Sequence, residues 1–183
     1  MRWWLRNLAI GAAVGLAVGV VIGGTLGRVF MRLVFLAEHD ALGFTTAMGA
    51  IVGQFTGGGS GAIYAFAGIA GVPLGLAYAA ARPLLPTGTR RRTILFVLGT
   101  TAFMLGQIVR GNRSDFTILP VTLSLVLAAG SVALTAVLVP ILVERFHPDR
   151  DRQPGRLAQG VVALGMTGFA VFGLTGIAIA YAA

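Results

Sequence analysis

From Leu8 to Gly27 the chain runs for twenty residues without an ionisable side chain, and Gly11, Gly15, Gly19, Gly23 and Gly27 recur at every fourth position. Twenty helical residues span about 30 Å, the thickness of a bilayer's hydrocarbon core. Residues four apart on an α-helix sit nearly above one another and drift about 40° per step, so these glycines line a groove that winds slowly around the helix. Such a groove lets a second backbone approach closely. In lipid the hydrophobic effect does not drive helices together, and close packing of this kind supplies much of the attraction. The stretch is expected to be a membrane helix made to lie against another helix.

Composition points the same way. Of 183 residues, 56% are apolar, 11% are charged and 27 are glycine. A soluble domain is about 25% charged, so the few charged side chains here argue against a soluble globular enzyme. The net charge is +8 and every basic side chain is arginine. In a soluble protein that excess would suggest nucleic acid. In a membrane protein it sets orientation and meets anionic lipid, and nucleic acid is not expected as a partner. The absence of cysteine excludes a disulfide framework, a thiol nucleophile and a thiolate metal site.

The pattern predicts an all-α polytopic membrane protein, a bundle of about five transmembrane helices in a single domain over 1–183. The spans fall at about 8–36, 62–81, 93–109, 117–143 and 157–182. The first is longer than a signal-peptide core and has no clean cleavage site, so it reads as an uncleaved anchor. Arg2, Trp3, Trp4 and Arg6 suit the interface before it. With the N-terminus inside, Arg2, Arg6, Arg82, Arg90, Arg91, Arg92, Arg145, Arg150, Arg152 and Arg156 face the cytoplasm, and Arg28, Arg32, Arg110 and Arg113 face outward. Ten against four obeys the positive-inside rule, whereas a sixth span across the apolar stretch 41–57 would reverse the ratio. That stretch is therefore an outer segment. Phe44–Thr46 and Ile51–Thr56 are suited to a short hairpin turning near Gly49, and a re-entrant half-helix is the alternative. The location implied is a bacterial cytoplasmic membrane, with the C-terminus outside.

A second ladder, Ala67-Gly71-Gly75-Ala79, lies in the second span and is the natural partner of the first. Packing within the chain competes with docking of a second copy or of another membrane subunit. The fifth span holds Gly160, Gly165, Gly168, Gly173 and Gly176, a broader small-residue face.

Candidates for chemistry are few. Gly57-Gly58-Gly59-Ser60-Gly61 has no G-K-[ST] and no preceding strand, so it reads as a flexible lead-in to the second span rather than a nucleotide cradle. No acid or histidine lies in the middle of a span, which argues against an ion-coupled transporter. Gln107 and Gln159 suit interhelical or interfacial hydrogen bonds. On the outer side Arg28, Arg32, Glu38, His39, Asp40, Arg110, Arg113 and Asp115 form the one polar constellation. Its plain reading is an interfacial salt-bridge cluster; its functional reading is an anion or headgroup site, because guanidinium forks match phosphate and carboxylate. His39 and His147 fall on opposite sides, so neither metal nor cofactor is expected. On the inner side Arg90, Arg91 and Arg92 suit anionic lipid headgroups, and Glu144–Arg156 reads as a solvated loop. No catalytic set can be assembled from these loops.

Several short motifs resemble a family of small multi-pass membrane proteins of high-GC bacteria. They are Gly27-Arg28 with Met31-Arg32, Gly53-Gln54-Phe55-Thr56-Gly57-Gly58, Tyr78 to Arg82, and Asn112-Arg113-Ser114-Asp115-Phe116. The resemblance implies the membrane topology and no catalytic residue. The expected role is a non-catalytic accessory or packing subunit that associates through glycine-rich helix faces. A small transporter or channel for a neutral solute, anion or lipid is the competing expectation.

Overall fold

The computed structural model describes residues 2–37, 43, 45, 51, 54, 56–86, 88–111 and 121–146, with 160, 164, 165, 167, 168, 170–175, 177 and 178. Helix α1 (Arg2–Val18) passes through a π-helical turn (Gly19–Gly24) into α2 (Thr25–Ala37), giving one continuous rod. Helix α3 (Gly57–Ala81) ends in a 3₁₀ turn (Arg82–Leu84), and α4 (Thr89–Gly111) and α5 (Val121–Phe146) follow. The described residues between 160 and 178 are helical.

Among the described residues four helical stretches are long and apolar enough to cross a bilayer: Trp4–Ala37, Gly57–Leu84, Thr89–Gly111 and Thr122–Phe146. The protein is thus a multi-pass helical membrane protein. Its outward faces support this, since Ile69, Leu98 and Val126 are 71%, 64% and 64% exposed. A row of bare aliphatic side chains of this kind suits lipid and not water. The hydroxyls of Thr25, Thr100, Ser131 and Thr135 donate to carbonyls one turn back, at Val21, Phe96, Leu127 and Ser131. Self-satisfaction is what a medium without water demands of a polar side chain.

The two ladders pack on each other within the chain. A Cβ placed on Gly15 would run into the carbonyl oxygen of Gly71, and one on Gly19 into that of Ala67. One on Gly11 would come within 2.5 Å of the Gly75 carbonyl oxygen, and the reverse substitutions at Gly71 and Gly75 meet Gly15 and Gly11. Backbone therefore touches backbone along this seam. In an uninterrupted α-helix the ladder would drift about 160° around the axis between Gly11 and Gly27. The π turn holds more residues per turn and winds the face back. At its last residue Gly24 lies against the Tyr64 ring, and beyond it Gly27 lies against Ile63 Cγ2.

Helix α5 packs against α1, α3 and α4. Val14, Val18, Leu74, Tyr78, Leu85, Phe96, Val139 and Val143 form the largest apolar core, nearer the end where α3 stops and α4 starts. A second cluster, Met31, Val34 and Ile63, lies towards the other end. The stretch 160–178 meets α4 at another glycine contact, where a Cβ on Gly106 would come within 2.7 Å of Gly173 Cα.

Two expectations about boundaries change. Gly57–Gly61 is the opening turn of α3 rather than a flexible lead-in, because the Thr56 hydroxyl accepts from the Gly59 N–H at 3.2 Å and caps it. Glu144, Arg145 and Phe146 belong to α5 and not to a solvated loop. In the segment 41–57, the described residues hold one isolated antiparallel bridge, Thr45 to Ile51, and a left-handed Gly43. Gln54 and Thr56 are not in a strand, and the Gln54 N–H donates back to the Ile51 carbonyl at 3.2 Å; the other residues of the expected hairpin lie outside the described residues.

Candidate functional site

Tyr78 and Arg82 lie four residues apart at the end of α3, so both project from one helix face. Arg92 stands in the first turn of α4, with Phe96 and Gly99 following it on the buried face of that helix. Glu144 stands in the last turn of α5, beside the buried Val139, Pro140 and Val143. The left-handed Gly88, at φ 111°, lets the short link from α3 turn back into α4. The antiparallel packing of α4 on α5 then brings four polar side chains onto one point at the end of the apolar core.

Glu144 Oε1 accepts from the Tyr78 hydroxyl at 2.7 Å, from Arg82 Nε at 3.0 Å and from Arg92 Nη1 at 2.8 Å. Its Oε2 accepts from Arg82 Nη2 at 3.2 Å, so Arg82 grips the carboxylate with two donors. Arg92 Nε also donates to the Pro86 carbonyl at 3.4 Å, which ties in the link between α3 and α4. The Arg82 and Arg92 side chains are only 5% and 9% exposed and that of Glu144 is 16% exposed. The Tyr78 ring meets Phe96 edge-on with centroids 5.0 Å apart. With both carboxylate oxygens already taken by charged or phenolic donors, Glu144 is a tie between three helices rather than a base open to a substrate.

The expected inner lipid triplet divides. Arg90 and Arg91 are exposed, but Arg92 is buried and turned onto Glu144, which corrects its expected contact with lipid headgroups. At about 100° per residue, three consecutive side chains cannot share a face, and the one in phase with Phe96 and Gly99 turns inward. That phase was readable in the sequence, as was the Tyr78–Arg82 spacing. What hid the site was the grouping of Glu144 with the polar run that follows it.

The constellation expected on the outer side is placed in part. Arg28 is buried and donates through Nη2 to the Ser60 hydroxyl at 2.6 Å, tying α2 to the start of α3. Arg32 is exposed, with its guanidinium 5.0 Å from the centre of the Phe35 ring. Arg110 is exposed and lies 5.9 Å from the centre of the Phe172 ring. Glu38, His39, Asp40, Arg113 and Asp115 lie outside the described residues. Among the described residues no group of histidines and acids could hold a metal ion.

No family model matches the chain, and neither a curated protein nor a solved structure matches it.

Proposed function

We propose that the chain is a non-catalytic integral membrane protein of the bacterial inner membrane, acting as a packing or accessory subunit. In this reading it crosses five times, with its N-terminus in the cytoplasm. The observation that carries the reading is the commitment of the Tyr78–Arg82–Arg92–Glu144 cluster to itself. Glu144 is the only carboxylate among the described residues, and donors from two helices and the turn between them occupy it. A pump or an acid–base enzyme needs such a group free to exchange protons or meet a substrate.

The glycine seam is closed on itself, so association falls to glycines that face open space beyond α5: Gly160, Gly165 and Gly168. No described feature favours transport in the same way. Thr101 and Ser124 carry the buried hydroxyl oxygens without a partner among the described residues. Counted from the Arg92–Glu144 contact, they differ in depth by roughly 16 Å at 1.5 Å per residue, and they do not compose one site.

Mild-detergent purification tests the proposal. The protein is expected to run as an assembly with a second copy or another membrane subunit. Gly165→Leu with Gly168→Leu should dissolve that assembly while leaving the helical spectrum unchanged. A wild-type protein that runs only as a monomer refutes the subunit reading.

A further inference from the structure

The two ends of the bundle treat their arginines differently. At the end where α2 stops and α3 starts, Arg28 donates to Ser60, and Arg32 and Arg110 lie over the rings of Phe35 and Phe172. At the opposite end α1 starts, α3 stops, α4 starts and α5 stops. There Arg90, Arg91 and Arg145 are exposed and make no ion pair among the described residues. The buried cluster holds them in place. Arg92 and Glu144 meet at 2.8 Å, so the residues next to them in the chain, Arg91 and Arg145, stay on one rim. The same contact withdraws the Glu144 carboxylate into the bundle, leaving the described part of the rim cationic.

Two further observations place this rim at a membrane surface. Below Arg90 and Arg91 on α4, Ile94 and Leu98 are exposed, and on α5 Ile141 is exposed, so the charge begins where the apolar belt ends. The first turn of α4 carries no acidic side chain, although the start of a helix favours negative charge. An anion from outside the chain would relieve that imbalance.

We propose that this rim binds the headgroups of anionic phospholipids, with Arg90, Arg91 and Arg145 gripping the phosphodiester. The guanidinium fork matches a phosphate's paired oxygens. Each basic side chain near an anionic surface favours binding by roughly fivefold, so the three together supply roughly a hundredfold preference at low salt. The preference weakens as salt screens it. This site goes beyond the subunit reading and does not depend on it, because a monomer would show it equally.

The two tryptophans, Trp3 and Trp4, both lie in the first turn of α1 and so report on this end of the bundle alone. Quenching of their fluorescence by brominated phosphatidylglycerol and brominated phosphatidylcholine, in mixed vesicles at low salt, measures the relative affinity of lipid at the rim. Wild-type protein is expected to prefer phosphatidylglycerol by at least tenfold. The triple variant Arg90→Gln, Arg91→Gln, Arg145→Gln should lose most of that preference while phosphatidylcholine quenches it as before, which shows that it inserts normally. Inorganic phosphate at millimolar concentration should leave the preference intact. Equal quenching of wild type by both lipids, an unchanged preference in the triple variant, or displacement of the lipid by phosphate would each overturn the proposal.

Discussion

Replacing Gly15 with alanine adds one methyl group to a place where two backbones already touch. The new Cβ would overlap the Gly71 carbonyl oxygen, lie 2.9 Å from the Gly71 carbonyl carbon and 3.0 Å from Gly75 Cα. Ordinary carbon contacts lie at about 3.5–4.0 Å, so α1 and α3 must separate by roughly 1 Å. All three obstacles are backbone atoms, so no rotamer change relieves them. A gap of 0.5–1 Å forfeits about a quarter to a half of each van der Waals contact, and it would open along the seam from Gly11 to Gly19. Overpacking of this kind costs about 1–3 kcal/mol, with the upper part expected here because the obstacle is rigid. The intrinsic preference of a helix for alanine over glycine returns about 1 kcal/mol. A net loss of about 1–2 kcal/mol remains.

The control is Gly130→Ala on α5, where an added Cβ meets nothing within 4 Å. There the preference for alanine acts alone, and stability should hold or rise by up to about 1 kcal/mol. Unfolding by sodium dodecyl sulfate in mixed micelles, followed by circular dichroism, compares the two variants. A Gly15→Ala variant as stable as Gly130→Ala would refute the backbone clash.

Three further outcomes are expected. Glu144→Ala leaves two buried guanidiniums without their shared carboxylate and should cost about 3–5 kcal/mol in the same titration; a loss under about 1 kcal/mol would show that the cluster contributes little. Tyr78→Phe keeps the edge-on contact with Phe96 but removes the 2.7 Å bond to Glu144, and should cost about 1.5–3 kcal/mol, the range for a hydrogen bond to a charged group; no change in midpoint would mean that the hydroxyl is dispensable. For topology, a cysteine at Thr89 should resist an impermeant thiol reagent in intact cells and one at Gly111 should react, and the reverse pattern would rule out the proposed orientation.

Much of the packing was legible because it depends on periodicity. The four-residue recurrence from Gly11 to Gly27 and the matching Ala67-Gly71-Gly75-Ala79 marked two faces, and their closure on each other follows from the close approach that only small residues permit. The π turn at Gly19–Gly24 was not legible, since it answers the winding of one helix against its neighbour. The candidate site was half visible. Tyr78 and Arg82 share a helix face by spacing, and Arg92 is set apart from Arg90 and Arg91 by phase with Phe96. Nothing local pairs them with Glu144, which lies 52 residues beyond Arg92 in the chain.

The sequence by itself therefore determined the medium and the helices. Long apolar runs without charge have one stable surrounding, and glycine spacing marks where a helix admits a neighbour closely. The tertiary structure decided which charges face outward and which are shared inside. The identity of a residue specifies its charge, but burial and partners depend on elements distant in sequence being brought together. Arg90, Arg91 and Arg92 show the difference: three identical side chains in a row, of which one holds the helices together and two face the surroundings.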